Sequence, residues 1–229
     1  MTKQNSLIIG AGEVGKGLQK ILKCAIINKG EEKNRTFKII HICIPWSENF
    51  IKYVNQYKDK YKPKYTVIHS TVPVGTSNKL NAIHSPIRGV HPHLDKGIKT
   101  FVKYFGGHNA CDVAKEFKKL GVKTYVTPNS RDTEALKLWD TTQYGAMILL
   151  NKEIKNWCDE NDVDFSVVYT HANETYNKGY AKLGRKEVIR PVLKYTEGKI
   201  GGHCVGNNVH LFRSKTAEEI KKYQKKYAV

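Results

Sequence analysis

A glycine-rich turn between an apolar run and an amphipathic segment constrains this chain more than any other feature of its sequence. The run Leu7-Ile8-Ile9 is followed by Gly10, Gly12 and Gly15 in the pattern Gly-x-Gly-x-x-Gly, and apolar residues at helical spacing come next. In such a strand–turn–helix unit the first glycine permits the tight turn, the second lets a ligand approach the backbone, and the third lets the helix pack on the strand. The N–H groups that begin the helix attract phosphates. The pattern therefore predicts a dinucleotide-binding unit.

Apolar strand-like segments alternate with helical segments over residues 1–130. Near-continuous apolar runs, such as the one at 37–45, are typical of strands buried in a parallel sheet. Helical patterns cover 48–57 and 110–120. The alternation predicts an α/β fold with a doubly wound parallel sheet of the Rossmann type. The predicted strands are 7–9, 24–27, 37–45, 65–70, 88–91 and 123–127.

A long helical pattern marks the second part of the chain. It covers 132–159 without a proline, and only Gly145 weakens it. Because this length exceeds the globular norm, we expect the helix to connect a dinucleotide-binding domain, 1–130, to a helical domain, 131–229, and to form a homodimer interface. Further helices are predicted at 165–183 and 216–227.

Composition and the cysteine pattern argue against several classes of protein. Of the 229 residues 40% are hydrophobic, enough for a folded core. No uncharged apolar run has the length of a membrane span, and the first strand follows the N-terminus too closely for a signal peptide, so we expect a cytoplasmic protein without a membrane partner. The five cysteines are scattered and form no Cys-x-x-Cys, which argues against a disulfide framework and a zinc site.

The charge balance favours anionic ligands. Lysine and arginine number 39 against 21 aspartates and glutamates, a formal net charge of +18. The lysines are spread along the chain, and the sequence has no zinc finger or aromatic-basic RNA motif, so we do not expect nucleic acid as a partner. A small anionic substrate and a solvated lysine-rich surface are the simpler interpretation of the excess.

Three further segments carry recognisable motifs. Ser-Thr-Val-Pro-Val-Gly-Thr occupies 70–76, Glu-Ala-Leu-Lys occupies 134–137 and opens the long helix, and Gly-Gly-His-Cys occupies 201–204. Together with the glycine-rich turn, and in this order, they resemble the motifs of the nucleotide-sugar 6-dehydrogenases, such as UDP-glucose dehydrogenase and UDP-N-acetylmannosamine dehydrogenase. The resemblance covers about residues 5–211.

The resemblance implies a chemistry as well as a fold. This family oxidises a sugar primary alcohol to a carboxylate with two NAD molecules, and a cysteine holds the intermediate as a thiohemiacetal and then as a thioester. By this resemblance Cys204, which we expect in a tight and accessible loop, is the nucleophile. Lys137 would stabilise an oxyanion, and Thr71 would position a water or the nicotinamide.

Three positions depart from the family pattern. Thr141 stands where the family has Asn, Asn208 where it has Asp, and His93 where it has Glu. The loss of both carboxylates removes the usual bases for water activation, and His93 is the residue expected to take over proton transfer, since imidazoles titrate near neutral pH. The family also has a C-terminal domain that grips the nucleotide, for which this chain is too short. We therefore expect a smaller substrate, a partner that completes the site, or oxidation that stops at the aldehyde.

The expected cofactor is NAD, with NADP as an alternative. An acidic residue normally ends the second strand and holds the ribose hydroxyls. Asn28 stands there in this chain, so Glu31 or Glu32 would have to substitute, whereas Lys29 would favour the extra phosphate of NADP. The expected cofactor contacts are Gly10, Gly12, Glu13, Val14, Gly15, Asn28, Lys29, Pro45, Ser70 and Thr71.

Two other functions stay open. One is a hydroxyacid or prephenate-like dehydrogenase in which His91 or His93 is the acid/base and Cys204 is dispensable. The other is a non-catalytic dinucleotide-binding protein, which the three departures favour and which Cys204 and Lys137 oppose. No spacing among His91, His93, His203 and Cys204 supports a metal site.

Overall fold

The first of two compact units is built on a mainly parallel sheet. The computed structural model describes residues 5–200 and 202–226, and the two units divide after Lys137. The strands are β1 Ser6–Ile9, β2 Ala25–Ile27, β3 Ile39–Ile42, β4 Tyr65–Ile68, β5 Ile83–His84, β6 Lys103–Gly106 and β7 Thr124–Thr127. Within the described residues these seven strands pair in the order β2-β1-β3-β4-β5-β6-β7, and every pair is parallel except β5–β6.

Both faces of this sheet are buried, as its apolar strands predict. Successive side chains of a strand point to opposite faces, so Ile8 packs in one core, and Leu7 and Ile9 pack in another. The helices of this unit are α1 Glu13–Leu22, α2 Phe50–Tyr61, α3 Thr76–Lys79, α4 Leu94–Thr100 and α5 Ala110–Lys119. The predicted fold class, a doubly wound α/β sheet followed by a helical region on a long helix, is confirmed.

The second unit is helical. Helix α6, Ser130–Glu160, is 31 residues long, begins before the division and continues beyond it. A π-helical turn, Ser166–His171, leads into α7, Ala172–Lys182, and a 3-10 turn, Lys186–Val188, precedes α8, His203–Asn208, and α9, Lys215–Lys225. The domain boundary at residue 130 stays a prediction, because the two compact units divide after Lys137, inside the continuous helix α6. Residues 201 and 227, which the predicted motif and the predicted last helix include, lie outside the described part of the chain.

Gly145 has a low helix propensity, but its lack of a side chain allows close helix packing. A Cβ at this position would lie 2.7 Å from Cγ1 of Val205 and 2.9 Å from Cδ1 of Ile220. Both neighbours are buried in the core of the second unit. The glycine therefore lets α8 and α9 pack closely on α6.

The strand predicted at 88–91 is wrong, and two strands were not predicted. Gly89 has a φ of +150°, and a Cβ on Gly97 would lie 2.6 Å from its Cα, so close packing with α4 replaces strand pairing. The strand in this region is instead β5, which is only two residues long. The other unpredicted strand, β6, begins with Lys103, a residue that an apolar pattern does not select. Helix α4 was likewise not predicted.

Candidate active site

Gly10 and Gly15 are required by the turn between β1 and α1. Gly10 has a φ of +109°, in the region that favours glycine, and a Cβ there would lie 2.7 Å from the backbone of Cys43. A Cβ on Gly15 would lie 1.8 Å from the carbonyl oxygen of Gly10. The N–H of Gly10 donates to the carbonyl of Ile27, the last residue of β2. The turn therefore lies at the carboxyl ends of β1 and β2.

Gly12, in contrast, is a glycine that the packing of the protein does not require. It is the N-cap of α1, with φ −70° and ψ −172°, an extended backbone that any residue adopts. A Cβ built on it would meet no atom of the described residues within 4 Å. The space in front of Gly12 borders the first N–H groups of α1, which carry partial positive charge. The approach to these N–H groups is open, so a phosphate group can reach them.

Glu13 and Val14 begin α1 directly after this space. Val14 is half-buried and packs against the core, whereas Glu13 is exposed and its carboxylate contacts Nδ1 of His91. His93 is also exposed and is the N-cap residue of α4. Of the two histidines proposed as acid/base, His91 is therefore the one in contact with the glycine-rich turn.

An exposed carboxylate lies at the carboxyl end of β2. The side chain and the backbone N–H of Asn28 both donate to the Glu31 carboxylate, each at 2.8 Å. These hydrogen bonds, the one from the side chain first, hold the pKa of Glu31 below its usual value. The Lys29 ammonium lies 3.7 Å from the centroid of the Tyr53 ring. A negative group is thus fixed beside Asn28, while Lys29 is engaged with an aromatic ring.

Pro45, Ser70 and Thr71 lie just beyond the carboxyl ends of the neighbouring strands β3 and β4. Ser70 Oγ donates to the carbonyl of Ile44 at 2.5 Å and so joins the two connections. Pro45 is exposed and Thr71 is half-buried. The predicted cofactor positions therefore share one edge of the sheet, where open α/β sheets bind ligands.

A buried carboxylate joins the Ser-Thr-Val-Pro segment to α6. Glu134 accepts from the N–H groups of Gly75, at 2.5 Å, and Ser77, at 2.7 Å, at the start of α3. The motif resemblance included Glu134 without assigning it a role, and the structure shows that it holds two motifs together. One helical turn later, Lys137 is half-buried and donates to the carbonyl of Ile87 at 3.0 Å.

Cys204 lies in the first turn of α8, so the prediction of a loop is wrong. Val205 and Val209, four residues apart, are both buried in the core of the second unit, a spacing that fits one face of a helix. This apolar pair was the overlooked signal, because the glycine and asparagines of the segment suggest a loop. Cys204 itself is half-buried.

Two of the positions that depart from the family pattern contact each other. Asn208 Nδ2 donates to Thr141 Oγ1 at 3.2 Å, and Thr141 Oγ1 donates to the carbonyl of Leu138 at 3.1 Å. Asn208 is buried and lies one helical turn after Cys204. The structure thus brings together Cys204, Thr141 and Asn208 in the second unit, with a neutral pair where the family has Asn and Asp.

Three histidines and a lysine are buried inside the first unit, and sequence reasoning missed them. His69 Nδ1 donates to the carbonyl of Ser85 at 2.7 Å, which leaves Nε2 to accept from Nδ1 of His41 at 3.0 Å. Lys103 Nζ donates to the same carbonyl at 3.0 Å. Nδ1 of the third histidine, His84, lies 2.9 Å from the hydroxyl of a threonine in α6.

Burial dominates the protonation of this His–Lys cluster, which we define as His41, His69, His84 and Lys103. Loss of solvent lowers the pKa of His41 and of His84 to about 3, and lowers that of His69 well below its usual value. It lowers the pKa of Lys103 to about 7. The histidines are therefore neutral at neutral pH, and Lys103 is poised to lose its charge.

A basic cavity of about 510 Å³ lies away from these residues, at the amino ends of β3 and β4. The Tyr65 hydroxyl donates to the Asp112 carboxylate there at 2.6 Å. Because none of the predicted site residues lines it, the cavity is separate from the candidate site. Its lining residues are Lys38, Lys64, Tyr65, Asp112, Lys115, Glu116, Lys118 and Lys119.

Three features are absent from the part of the chain that the structure describes. Residues 5–200 and 202–226 contain no group of three or more His, Cys, Asp or Glu side chains placed to hold a metal ion. None of their helices combines the length and the apolar character that crossing a bilayer requires. All five cysteines lie within these ranges, and none is in a disulfide.

Neither the family models nor the curated proteins compared with the chain give a match. Solved structures do match. A UDP-D-ManNAc dehydrogenase from Pyrococcus horikoshii superposes with a TM-score of 0.76 at 14% identity, over 97% of this chain and 68% of that chain. A UDP-N-acetyl-mannosamine dehydrogenase from Staphylococcus aureus gives 0.69 at 14% identity, over 98% and 68%.

A third similar structure is of nearly the same length as this chain. It is a 3-hydroxyisobutyrate dehydrogenase from Mycobacterium tuberculosis, with a TM-score of 0.69 at 10% identity, over 100% of this chain and 94% of that chain. Identities this low show a shared fold. The resemblance inferred from the four motifs is thus confirmed at the level of the fold, which is that of dehydrogenase structures.

Proposed function

We propose that this chain is an NAD(P)-dependent oxidoreductase that binds the dinucleotide at the carboxyl ends of β1 to β4. The observation that carries the proposal is the open approach to Gly12 at the N-cap of α1, where an added Cβ would meet no atom of the described residues within 4 Å. The turn at Gly10, the close packing at Gly15 and the start of α1 surround that space with backbone N–H groups. This cradle fits a pyrophosphate.

The remaining cofactor contacts follow from the same edge of the sheet. When bound, the dinucleotide supplies the hydride acceptor of the reaction. The Ser70 and Thr71 segment, fixed by Glu134 and by the Ile44 carbonyl, would position the nicotinamide half beyond β4. The adenosine half would lie beyond β2, beside Asn28.

We further propose an alcohol substrate, of a sugar or nucleotide-sugar, with Cys204 as nucleophile. The Cys204 thiol would give up its proton as the sulfur adds to the carbonyl carbon of the aldehyde formed from the alcohol, and the oxygen that becomes negative would then take up that proton. The Lys137 ammonium would stabilise negative charge on that oxygen. The high net charge of the chain suits an anionic substrate.

The Thr141–Asn208 pair sets a limit on this chemistry. Neither side chain is a carboxylate, so neither serves as the general base that activates water for release of an acid. The proposal therefore expects the aldehyde to form faster than the acid.

Removal of the Cys204 thiol is expected to lower acid formation about 100-fold or more, because no other group there forms the covalent intermediate. Reduced nicotinamide and acid would be measured with nucleotide-sugars, sugars and hydroxyacids for the wild type, Cys204→Ala and Cys204→Ser. The matched control is Cys111→Ala, since Cys111 is exposed on α5, outside the proposed site. Equal acid formation by wild type and Cys204→Ala would contradict the role of the thiol.

A second candidate function is oxidation of a small hydroxyacid. The observation that favours it is the match over 94% of the M. tuberculosis 3-hydroxyisobutyrate dehydrogenase chain. It predicts turnover of a hydroxyacid that survives Cys204→Ala and is lost in a variant of His91 or His93. The same substrate panel therefore separates the two candidates.

We propose that the chain forms a homodimer through α6. Leu150 and Trp157 are two helical turns apart on this helix and are 55% and 54% exposed, so they form an apolar strip on one face. Trp157→Glu is expected to shift the protein from dimer to monomer in sedimentation velocity. The matched control is Tyr125→Glu, because Tyr125 on β7 of the first unit is an aromatic residue that is 57% exposed. A monomeric wild type would overturn the proposal.

A further inference from the structure

The end of β2 lacks the acidic residue of the usual dinucleotide site, and a nearby carboxylate can replace it. Asn28 occupies the position at which an acidic residue normally meets the ribose hydroxyls. We propose that Glu31, three residues further along, supplies the missing carboxylate and selects NAD over NADP. This inference rests on the proposed function.

A tight turn brings Glu31 back to the strand end. The N–H of Glu31 donates to the carbonyl of Asn28 at 3.2 Å, which closes a four-residue turn. Gly30 has a φ of +90°, the conformation that the third position of such a turn favours for glycine. The N–H of Gly30 also donates to the hydroxyl of Tyr57, at 2.9 Å, so a hydrogen bond to α2 holds the turn in place.

The Asn28 side chain fixes the carboxylate within this turn. Its amide and its backbone N–H donate to different oxygens of Glu31, both at 2.8 Å, so the carboxylate lies one hydrogen bond from the usual acidic position. A carboxylate accepts about four hydrogen bonds, and the two from Asn28 leave capacity for two more. Glu31 is exposed, so the adjacent hydroxyls of a ribose could donate to it.

The cations nearby do not form a phosphate site in place of this carboxylate. Lys29 lies over the Tyr53 ring, and Glu32 forms an ion pair with Lys60 on α2. Lys33 attracts Glu31 electrostatically, so it supports the carboxylate. A 2′-phosphate placed at Asn28 would meet the fixed negative charge of Glu31, and this repulsion disfavours NADP.

The test is calorimetric titration of the full chain with NADH and NADPH. The wild type is expected to bind NADH more tightly than NADPH. Glu31→Gln keeps an oxygen that accepts from Asn28 but loses the charge, so NADH binding is expected to weaken about tenfold and NADPH binding to tighten. Glu32→Gln, with the same change of charge at the residue that follows the turn, is expected to leave the ratio of NADH to NADPH affinity unchanged.

A rescue variant separates specificity from damage to the turn. The double variant Asn28→Asp, Glu31→Gln moves the carboxylate to the usual strand-end position and is expected to restore the NADH preference. An unchanged ratio in Glu31→Gln, or tighter NADPH binding by the wild type, would overturn this inference while the proposed function stands. A wild type that binds neither dinucleotide would overturn the proposed function itself.

Discussion

Gly12→Val is expected to weaken dinucleotide binding about 100-fold without loss of stability. The backbone at Gly12 is extended and suits valine, and an added Cβ would meet no atom of the described residues within 4 Å. The new methyl groups would occupy the cradle and keep the pyrophosphate from the N–H groups of α1. Loss of two hydrogen bonds to a charged ligand amounts to about 3 kcal/mol, which is about 100-fold in Kd for NADH.

The measurements for this variant are calorimetric titration with NADH and thermal unfolding without ligand. The matched control is Gly179→Val, because Gly179 on α7 also has no atom within 4 Å of an added Cβ and lies in the second unit. We expect the control to bind NADH normally and both variants to unfold within a few degrees of the wild type. Wild-type affinity in Gly12→Val would place the dinucleotide elsewhere.

Acid is expected to destabilise the first unit strongly, because the His–Lys cluster is buried. The pKa of His41 and of His84 is about 3 in the folded protein against 6.5 for an exposed histidine. Below pH 6.5 the histidines are therefore protonated in the unfolded chain but not in the folded chain. The free energy of unfolding falls as the pH is lowered, until the pH approaches 3. Two such histidines lower the free energy of unfolding by about 4 kcal/mol between pH 6.5 and about pH 5. Urea unfolding across this range measures the fall, and a flat profile would contradict it.

Lys103 extends the same trend above neutral pH. Its pKa is about 7 when folded against 10.5 for an exposed lysine, so the unfolded chain binds more protons between these values and stability rises with pH. Above pH 9 the thiols of Cys24 and Cys43, whose pKa values loss of solvent raises to about 12, reverse the slope. Between pH 7 and 9 Lys103 is expected to raise the free energy of unfolding by about 1.4 kcal/mol per pH unit. This rise should be absent in Lys103→Met. The exposed Lys118→Met is the control, and equal slopes in both variants would refute the assignment.

The regular parts of the fold could be predicted from sequence because local pattern and tertiary environment agree there. In β1 the apolar residues are consecutive, and in β3 only His41 interrupts them, because both faces of the sheet are covered. In α6 helical spacing continues without a proline, so the helix was predicted to within two residues at its start. The turn at Gly10 and Gly15 followed from a pattern whose spacing has a steric cause.

The remaining features depend on partners distant in sequence. The contact between His41 and His69 joins residues 28 apart, and that between Asn208 and Thr141 joins residues 67 apart, so no local pattern contains them. Glu31 illustrates an intermediate case. Its acidic character made it a candidate, but only the turn and the hydrogen bonds from Asn28 distinguish it from Glu32.

The most direct test of the central claim is calorimetric titration of the wild-type chain with NADH. A dinucleotide site at the carboxyl edge of the sheet predicts saturable binding at one site per chain, with a Kd in the micromolar range. Bound NADH should also raise the midpoint of thermal unfolding as its concentration increases. Absence of binding at millimolar NADH and NADPH would contradict the account.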